Sequence, residues 1–284
     1  MIAALDATAT APVASPASPP AVRKGRSREE LLATVSASRL GTWLQCRLKF
    51  MFRYMLGLTK PNTPARHVGT VVHAVLQQWN LARWRRAPLV GEMIAAVFEK
   101  AWGTTRDDAV IAWKDDEPEA EVKAEAFALV EMYLRDNPIP ADEKPEAVEV
   151  MIEKDLSSHG LPKLVGVLDL VRAGGRIVDF KTSGKTPNAD LALHTNDVQL
   201  TAYALLYREA TDRRETALEL HHLVKTKTPK LVITEAPPAT EVQTTRFMRL
   251  VESYVRGVEC GDYVPSPGLQ CGACEFINEC RKWK

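Results

Sequence analysis

Two short apolar segments joined by a glycine turn constrain this chain more than any other feature of its sequence. A G-x-x-D segment ends at Asp169, a D-x-K segment runs from Asp179 to Lys181, and an Ala-Gly-Gly turn around Gly174 lies between them. Runs rich in Val, Ile and Leu on either side of glycines are typical of a β-hairpin. A hairpin centred on Gly174 places Asp169 opposite Asp179. Because strand side chains alternate between faces, Lys181 lies on the same face as Asp179.

Two carboxylates that face each other on one side of a sheet repel each other and destabilise it. A cation between them, or a shared proton, removes that cost. Mg²⁺ takes oxygen ligands and commonly uses one or two carboxylates together with substrate phosphate oxygens. Asp169 and Asp179 with Lys181 beside them therefore predict a metal-dependent hydrolytic site, in which the lysine orients or deprotonates a water. The alternative is a solvent-facing hairpin whose acidic and basic side chains form ordinary surface pairs.

The order of the predicted elements indicates an α/β fold with a helical N-terminal section. Residues 36–55 and 65–84 carry apolar side chains at helical intervals, and the region up to about residue 136 continues in this way. After Pro145, short apolar segments separated by glycine turns predict strands, with helices between and after them. Residues 1–34, rich in Ala, Pro, Ser and Thr, are predicted to be a disordered tail.

The charge of the chain limits the kind of nucleic-acid site that it can form. Its 284 residues include 37 basic and 36 acidic ones, which gives a net charge of +1. A nucleic-acid site would therefore be a local basic patch rather than a property of the whole surface. In the predicted tail, the cluster Arg23, Lys24, Arg26 and Arg28 is either an arm that contacts phosphates or an ordinary solvated run.

Three motifs, taken in order, resemble the RecB-like branch of the PD-(D/E)xK nuclease superfamily, although the usual proline is absent. The first is Gly69-x-x-x-His73 on a predicted helix, and the second is the hairpin with its G-x-x-D and D-x-K segments. The third is Gln199-x-x-x-Tyr203 on a later predicted helix. Residues four apart share one face of a helix, so each helical motif can present both of its side chains to one site.

The resemblance implies an architecture and a set of roles. It implies a restriction-endonuclease-like core, a mixed central sheet flanked by helices, in a single nuclease domain. That domain would cover residues 35–284, with a helical section at 35–144, a nuclease core at 145–260 and a cysteine-rich tail at 261–284. The implied site residues are the Mg²⁺ or Mn²⁺ ligands His73, Asp169 and Asp179, the catalytic residues Asp169, Asp179 and Lys181, and the substrate-binding residues Gln199 and Tyr203. A further carboxylate ahead of the hairpin is Glu149 or Glu153, and the sequence does not choose between them.

The cysteines predict a second metal centre. Cys271, Cys274 and Cys280 lie close together in the tail, and Cys46, more than 200 residues earlier, is the candidate for a fourth ligand. Zinc and iron–sulfur clusters both accept four thiolates, so spacing alone leaves the metal open. One early and three late cysteines resemble the iron–sulfur nucleases of the AddB type and the CRISPR-associated RecB-like exonucleases. That resemblance implies a 4Fe–4S cluster that holds the two ends together. Cys260 is predicted to be a buried, unligated thiol.

Together with the resemblance, these features predict a metal-dependent DNA nuclease with exonuclease action, in DNA repair or recombination, CRISPR or phage biology. Its predicted partner is DNA, as a single strand or an end. No helicase phosphate loop is present, so a helicase or other DNA-processing protein would supply unwinding. The alternative is a non-catalytic DNA-binding or scaffold subunit of a helicase–nuclease complex. We expect a cytoplasmic protein without a membrane span, because no apolar run reaches about 18 residues and the cysteines do not form a disulfide framework.

Overall fold

The computed structural model describes residues 21–22, 24–107, 110–113 and 118–284. Its first half is mainly helical, with β1 (Ala21–Val22), α1 (Arg28–Ala33), β2 (Thr34–Val35), α2 (Ala37–Gln45), α3 (Arg47–Phe50), a π-helical turn (Met51–Met55), β3 (Leu58–Thr59), α4 (Pro64–Trp84), α5 (Gly91–Asp107) and α6 (Glu119–Asp136). Its second half contains β4 (Ala147–Lys154), a 3-10 turn (Ser157–His159), β5 (Lys163–Arg172), β6 (Arg176–Ser183), α7 (Ala189–Thr211), β7 (Ala217–Val224), β8 (Lys230–Ala236), α8 (Glu241–Cys260), a 3-10 turn (Leu269–Ala273) and α9 (Ile277–Lys282).

A six-stranded mixed sheet has the strand order β2-β5-β6-β7-β8, with β4 also paired to β5. β5 and β6 form an antiparallel hairpin, β6 and β7 are parallel, and β7 and β8 are again antiparallel. Parallel neighbours need a long crossover, and α7 supplies it between β6 and β7. The predicted α/β fold, a mixed central sheet flanked by helices, is confirmed.

Helices cover the sheet and form two apolar cores with it. One core packs α7 and α8 against β5 and β7, with Leu206 and Val251 among its fully buried side chains. The other packs α4 and α6 against β6, with Val72 and Phe180 among its members. Burying one large apolar side chain contributes roughly 1.5–3 kcal/mol, so these layers hold the strands firmly in place. Among the described helices, none has the length and hydropathy that a membrane span requires.

The helix predicted over residues 36–55 is interrupted at Cys46. Ser36 caps its first part, because its hydroxyl accepts a hydrogen bond from the Arg39 N–H at 3.3 Å. Cys46 then adopts an extended backbone with φ −167° and separates α2 from α3. The thiol of Cys46 therefore lies at a junction between helices rather than along a helix face.

The disorder predicted for residues 1–34 is not found in the described part of that segment. Ser27 and Glu30 form a capping box at the start of α1, and Leu31 is fully buried. The Tyr254 hydroxyl of α8 donates a hydrogen bond to the Leu31 carbonyl at 2.8 Å. β2 adds to the sheet beside β5. The prediction fails for this part because the helix is stabilised by packing on α8, which composition alone does not reveal. Residues 1–20 of the predicted tail lie outside the described residues.

Candidate active site

The hairpin of β5 and β6 forms with the register that the glycine turn predicts. The last paired residues before the acidic positions are Leu170 and Val178. Gly174 in the turn has φ 78°, a left-handed conformation that glycine adopts without steric cost. Asp169 and Asp179 occupy the next positions of the two strands, beyond the last pair. The predicted alignment of the hairpin is confirmed up to the point where the site begins.

Glu149 is the further carboxylate that the sequence left open. The register of β4 and β5 pairs the residues on both sides of Glu149 and Asp169, so these two residues lie opposite each other on adjacent strands. Glu149 has φ 49°, a conformation that costs a non-glycine residue roughly 1–3 kcal/mol and that occurs preferentially at functional sites. Glu153 is exposed and forms an ion pair with Lys163 at 2.9 Å. The structure therefore favours Glu149 over Glu153.

The long helix α4 brings His73 to the same place. Its Nδ1 atom lies 3.4 Å from Asp169 Oδ2, and one ligand atom each from His73, Glu149 and Asp169 all lie within 4.8 Å of one another. Gly69, one turn earlier, allows α4 to approach β6, because a Cβ at Gly69 would lie 3.1 Å from Thr182 Oγ1. Two carboxylates and one imidazole at this spacing can hold a divalent cation.

Beside this trio, Asp179 belongs to a hydrogen-bonded network with Lys181. The Asp179 carboxylate is buried, with Oδ2 2.7 Å from Lys181 Nζ, and Oδ1 accepts a hydrogen bond from Gln199 Nε2 at 2.8 Å. Lys181 Nζ donates to Gln199 Oε1 at 2.8 Å, and Gln199 Nε2 also donates to the Tyr203 hydroxyl at 2.7 Å. The predicted ligand Asp179 thus lies next to the trio rather than in it. Of the two predicted substrate contacts, Gln199 bonds to both Asp179 and Lys181, and Tyr203, which is 7% exposed, bonds to Gln199.

Burial raises the pKa values of two acidic side chains in the site, Glu149 and Asp179. Burial and the neighbouring Asp169 carboxylate raise the pKa of Glu149 to about 7, while His73 acts in the opposite direction. Burial also raises the pKa of Asp179, although the charge of Lys181 lowers it. Carboxylates whose pKa values are raised together in one cluster are typical of functional sites. A bound cation would stabilise their ionised forms.

The glycine of the G-x-x-D segment has a packing role. A Cβ at Gly166 would lie 2.6 Å from Leu206 Cδ1, so a larger residue there would require the Leu206 side chain or α7 to shift. α7 carries Gln199 and Tyr203. Gly166 therefore belongs to the contact between β5 and the helix that presents these two side chains.

β7 contributes one residue that the sequence motifs do not mark. His222 pairs with Lys181 across β6 and β7 and is 6% exposed. Burial and the charge of Lys181 lower the pKa of His222, which favours the neutral imidazole. No local sequence signal points to His222, because its position beside Lys181 depends on the crossover through α7.

The four cysteines predicted to share a metal centre come together at a second site. Cys46, Cys271, Cys274 and Cys280 line one apolar cavity of about 300 Å³, next to the buried ring of Phe276. Burial and the other three thiols raise the pKa of Cys280. Among the described residues, no three of these cysteines have sulfur atoms that all lie within 4.8 Å of one another. Zinc with Zn–S bonds of about 2.3 Å would require thiolates roughly 3.8 Å apart. The four thiols thus face one shared cavity, and this arrangement does not by itself distinguish zinc from an iron–sulfur cluster.

Cys260 does not have the environment that the sequence predicts. It is exposed at the last residue of α8, so the expectation of a buried thiol is wrong. Gly261, with φ 71°, ends the helix there, and the last two helical residues, Glu259 and Cys260, are exposed. Cys260 is not among the residues that line the cysteine cavity.

Comparisons with known proteins agree with this geometry. A family model described as the PD-(D/E)XK nuclease superfamily matches residues 34–281. None of the curated proteins matches the chain. Among solved structures, a protein from Eubacterium rectale described as a candidate exonuclease is 14% identical over 91% of each chain, with a TM-score of 0.55. A second, SSO0001, is 16% identical over 89% of this chain and 95% of that chain, with a TM-score of 0.38. The first likeness shows a shared fold.

Proposed function

Since this chain belongs to the PD-(D/E)XK nuclease superfamily, we propose that it is a divalent-metal-dependent deoxyribonuclease that degrades DNA from an end. The observation that carries the proposal is the convergence of His73, Glu149 and Asp169 within 4.8 Å of one another, beside Asp179 and Lys181. PD-(D/E)XK nucleases generally use divalent metal ions. Exonuclease action is supported by the E. rectale protein of similar fold, which is described as a candidate exonuclease.

His73, Glu149 and Asp169 would hold the divalent cation, and the family resemblance adds Asp179 on the side of Lys181. The residues fit such an ion, because burial and like charge disfavour the ionised form of Glu149 unless a cation compensates. Oxygen ligands together with one imidazole suit Mg²⁺ or Mn²⁺. When bound, such an ion polarises a phosphate and lowers the pKa of a coordinated water.

Lys181 is the residue best placed to donate a hydrogen bond to the attacking water or to a phosphate oxygen. Asp179 and Gln199 hold its ammonium group from two sides, at 2.7 and 2.8 Å. An ammonium group has three N–H donors, so one remains for a water or for a phosphate oxygen. A donor that is fixed before the reaction stabilises developing charge more effectively than a mobile one. In this proposal Gln199 is a positioning residue for Lys181, and Tyr203 orients Gln199.

A 4Fe–4S cluster held by Cys46, Cys271, Cys274 and Cys280 is the second part of the proposal. It is supported by the apolar cavity that the four cysteines share and by the family resemblance of one early and three late cysteines. Its role would be structural, because it joins the start of the described fold to the tail and so restricts the unfolded chain. No redox step in DNA hydrolysis is needed.

Purified anaerobically, the protein should shorten end-labelled single- or double-stranded DNA when Mn²⁺ or Mg²⁺ is added. Asp169→Asn and Lys181→Ala should remove this activity, whereas Glu153→Gln, outside the trio, should retain it. The product ladder would give the polarity. An intact protein with its brown chromophore that cuts no substrate would refute the nuclease proposal. The non-catalytic DNA-binding subunit would then be the better account.

A further inference from the structure

A basic groove lies beside the N-terminal half of α4, outside the metal trio. Its walls are formed by residues 24–26, by residues 53–62, by Arg66 and Thr70 of α4, and by the tail at Glu275 and Phe276. Its volume is about 710 Å³. That size is typical of sites that enclose one small molecule, and it is enough for a short stretch of one nucleic-acid strand.

The groove carries a surplus of positive charge. Five basic side chains line it, and two of these are paired with the tail, Arg53 with Glu275 and Lys60 with Glu279. The other three are Lys24, Arg26 and Arg66. They are exposed, and none of them forms an ion pair with any described residue. Unpaired cations in a groove are the feature that binds a phosphate backbone.

The basic segment is held against the groove wall. A Cβ at Gly25 would lie 1.8 Å from the Met55 carbonyl oxygen, so only glycine allows the backbone to approach this closely. The Arg26 N–H donates a hydrogen bond to the Tyr54 carbonyl at 2.8 Å. Just before it, β1 pairs with β3. Lys24 and Arg26 are therefore placed at the groove before any ligand arrives.

The groove continues to the metal trio along one helix face. Arg66, Thr70 and His73 are spaced four and three residues apart on α4, so their side chains follow one another on the same face. Arg66 and Thr70 line the groove, and His73 belongs to the trio. With a rise of 1.5 Å per residue, Arg66 and His73 are about 10 Å apart along the helix, which is about two phosphates of an extended strand.

We propose that one strand of DNA lies in this groove, with its phosphates on Lys24, Arg26 and Arg66, and passes along α4 to the metal trio. The inference rests on the proposed nuclease function and adds a substrate class, single-stranded DNA, to it. Tyr54 also lines the groove and offers an aromatic surface to a base. In this proposal Lys24 and Arg26 are the part of the basic cluster that contacts phosphates; Arg28 does not line the groove, and Arg23 lies outside the described residues.

The test compares wild type with the triple variant Lys24→Ala, Arg26→Ala, Arg66→Ala. A matched control is Arg249→Ala, an exposed arginine on α8 that lines a different surface. Binding of labelled oligothymidylate is measured by fluorescence anisotropy without divalent metal, over a range of salt concentrations. Each phosphate contact contributes about 0.7 to the slope of log affinity against log salt for single strands. The triple variant should therefore lose about 2 from this slope, and Arg249→Ala should lose nothing.

Hydrolysis of bis(p-nitrophenyl) phosphate with Mn²⁺ separates this inference from the nuclease proposal, because that diester is too short to reach the groove. The triple variant should hydrolyse it at the wild-type rate. If the triple variant binds the single strand with wild-type affinity and slope, the groove proposal is wrong. It is also wrong if the variant weakens binding of duplex more than of single strand. If wild type hydrolyses neither the diester nor DNA, the nuclease proposal fails, and the binding data still decide the role of the groove.

Discussion

Glu149 and Asp169 lie opposite each other on β4 and β5, at positions where the residues before and after them are paired and they themselves are not. Glu149 takes the unusual φ of 49° at this point. The local departure from regular strand geometry brings a ligand atom of Glu149 within 4.8 Å of both Asp169 and His73. An acidic pair that costs free energy in the empty site becomes favourable when a cation is shared, and this is why we propose Glu149 as a metal ligand.

Glu149→Gln should lower DNA cleavage by at least about 100-fold, because loss of a ligand should cost more than loss of a supporting side chain, which costs 10- to 100-fold. Isothermal titration with Mn²⁺ should show a matching loss of affinity. The control is Glu153→Gln, four residues along the same strand, exposed and paired with Lys163. Equal effects from both substitutions would contradict the assignment.

The metal-free protein should become less stable as the pH rises. The folded pKa of Glu149, about 7, lies above the ordinary carboxyl value of 4.5. The folded protein therefore favours the protonated form of Glu149. The contribution of this preference to the free energy of unfolding is complete below about pH 4.5 and is lost as the pH rises through 7. The melting temperature in EDTA should decline across this interval, and the decline should be smaller in Glu149→Gln. Added Mn²⁺ should stabilise most above pH 7, where the ligand is ionised. A pH-independent difference between wild type and variant would contradict this.

Gln199→Ala should reduce kcat by roughly 10- to 100-fold with little change in KM, because Gln199 holds Lys181 and Asp179. Tyr203→Phe keeps the ring and removes the hydroxyl that accepts a hydrogen bond from Gln199. It should therefore also lower kcat with little change in KM, but by a smaller factor than Gln199→Ala. Steady-state cleavage of a short single strand measures both. A raised KM at unchanged kcat would show instead that Gln199 contacts the strand directly.

Cys274→Ser should remove the iron–sulfur absorption and lower the melting temperature by several degrees, because the tail is then no longer bound to Cys46. Cys260→Ser is the matched control: its thiol is exposed and outside the cavity, so neither property should change. Metal analysis accompanies both. A colourless wild type that contains stoichiometric zinc would contradict the cluster assignment while preserving the four-cysteine site.

Gly166→Ala should destabilise the protein by about 1–3 kcal/mol, because the added methyl group would lie 2.6 Å from Leu206 Cδ1 and the buried Leu206 side chain or α7 would have to move. Cleavage should fall as well, since α7 carries Gln199. Gly184→Ala is the control, because nothing lies within 4 Å of a Cβ there. Urea unfolding would compare the two variants. Equal free energies of unfolding would show that β5 and α7 are not closely packed at Gly166.

Features encoded within a few residues could be predicted from the sequence. The hairpin register around Gly174 follows from a turn that admits only certain backbone angles and from the alternation of strand side chains. The ordered motifs around His73, Asp169 and Asp179 point to a family, and the structure places these residues close to one another.

Tertiary structure decided what depends on contacts between distant segments. The choice of Glu149 over Glu153 requires the register between β4 and β5, which packing sets because no short turn joins them. The pairing of His222 with Lys181 requires the α7 crossover. Helix α1 is held in place by the contact of Leu31 with α8. Lys24 and Arg26 are held in place by the close approach of Gly25 to Met55. Local sequence determines turns, caps and alternation, whereas only the folded chain determines which faces meet.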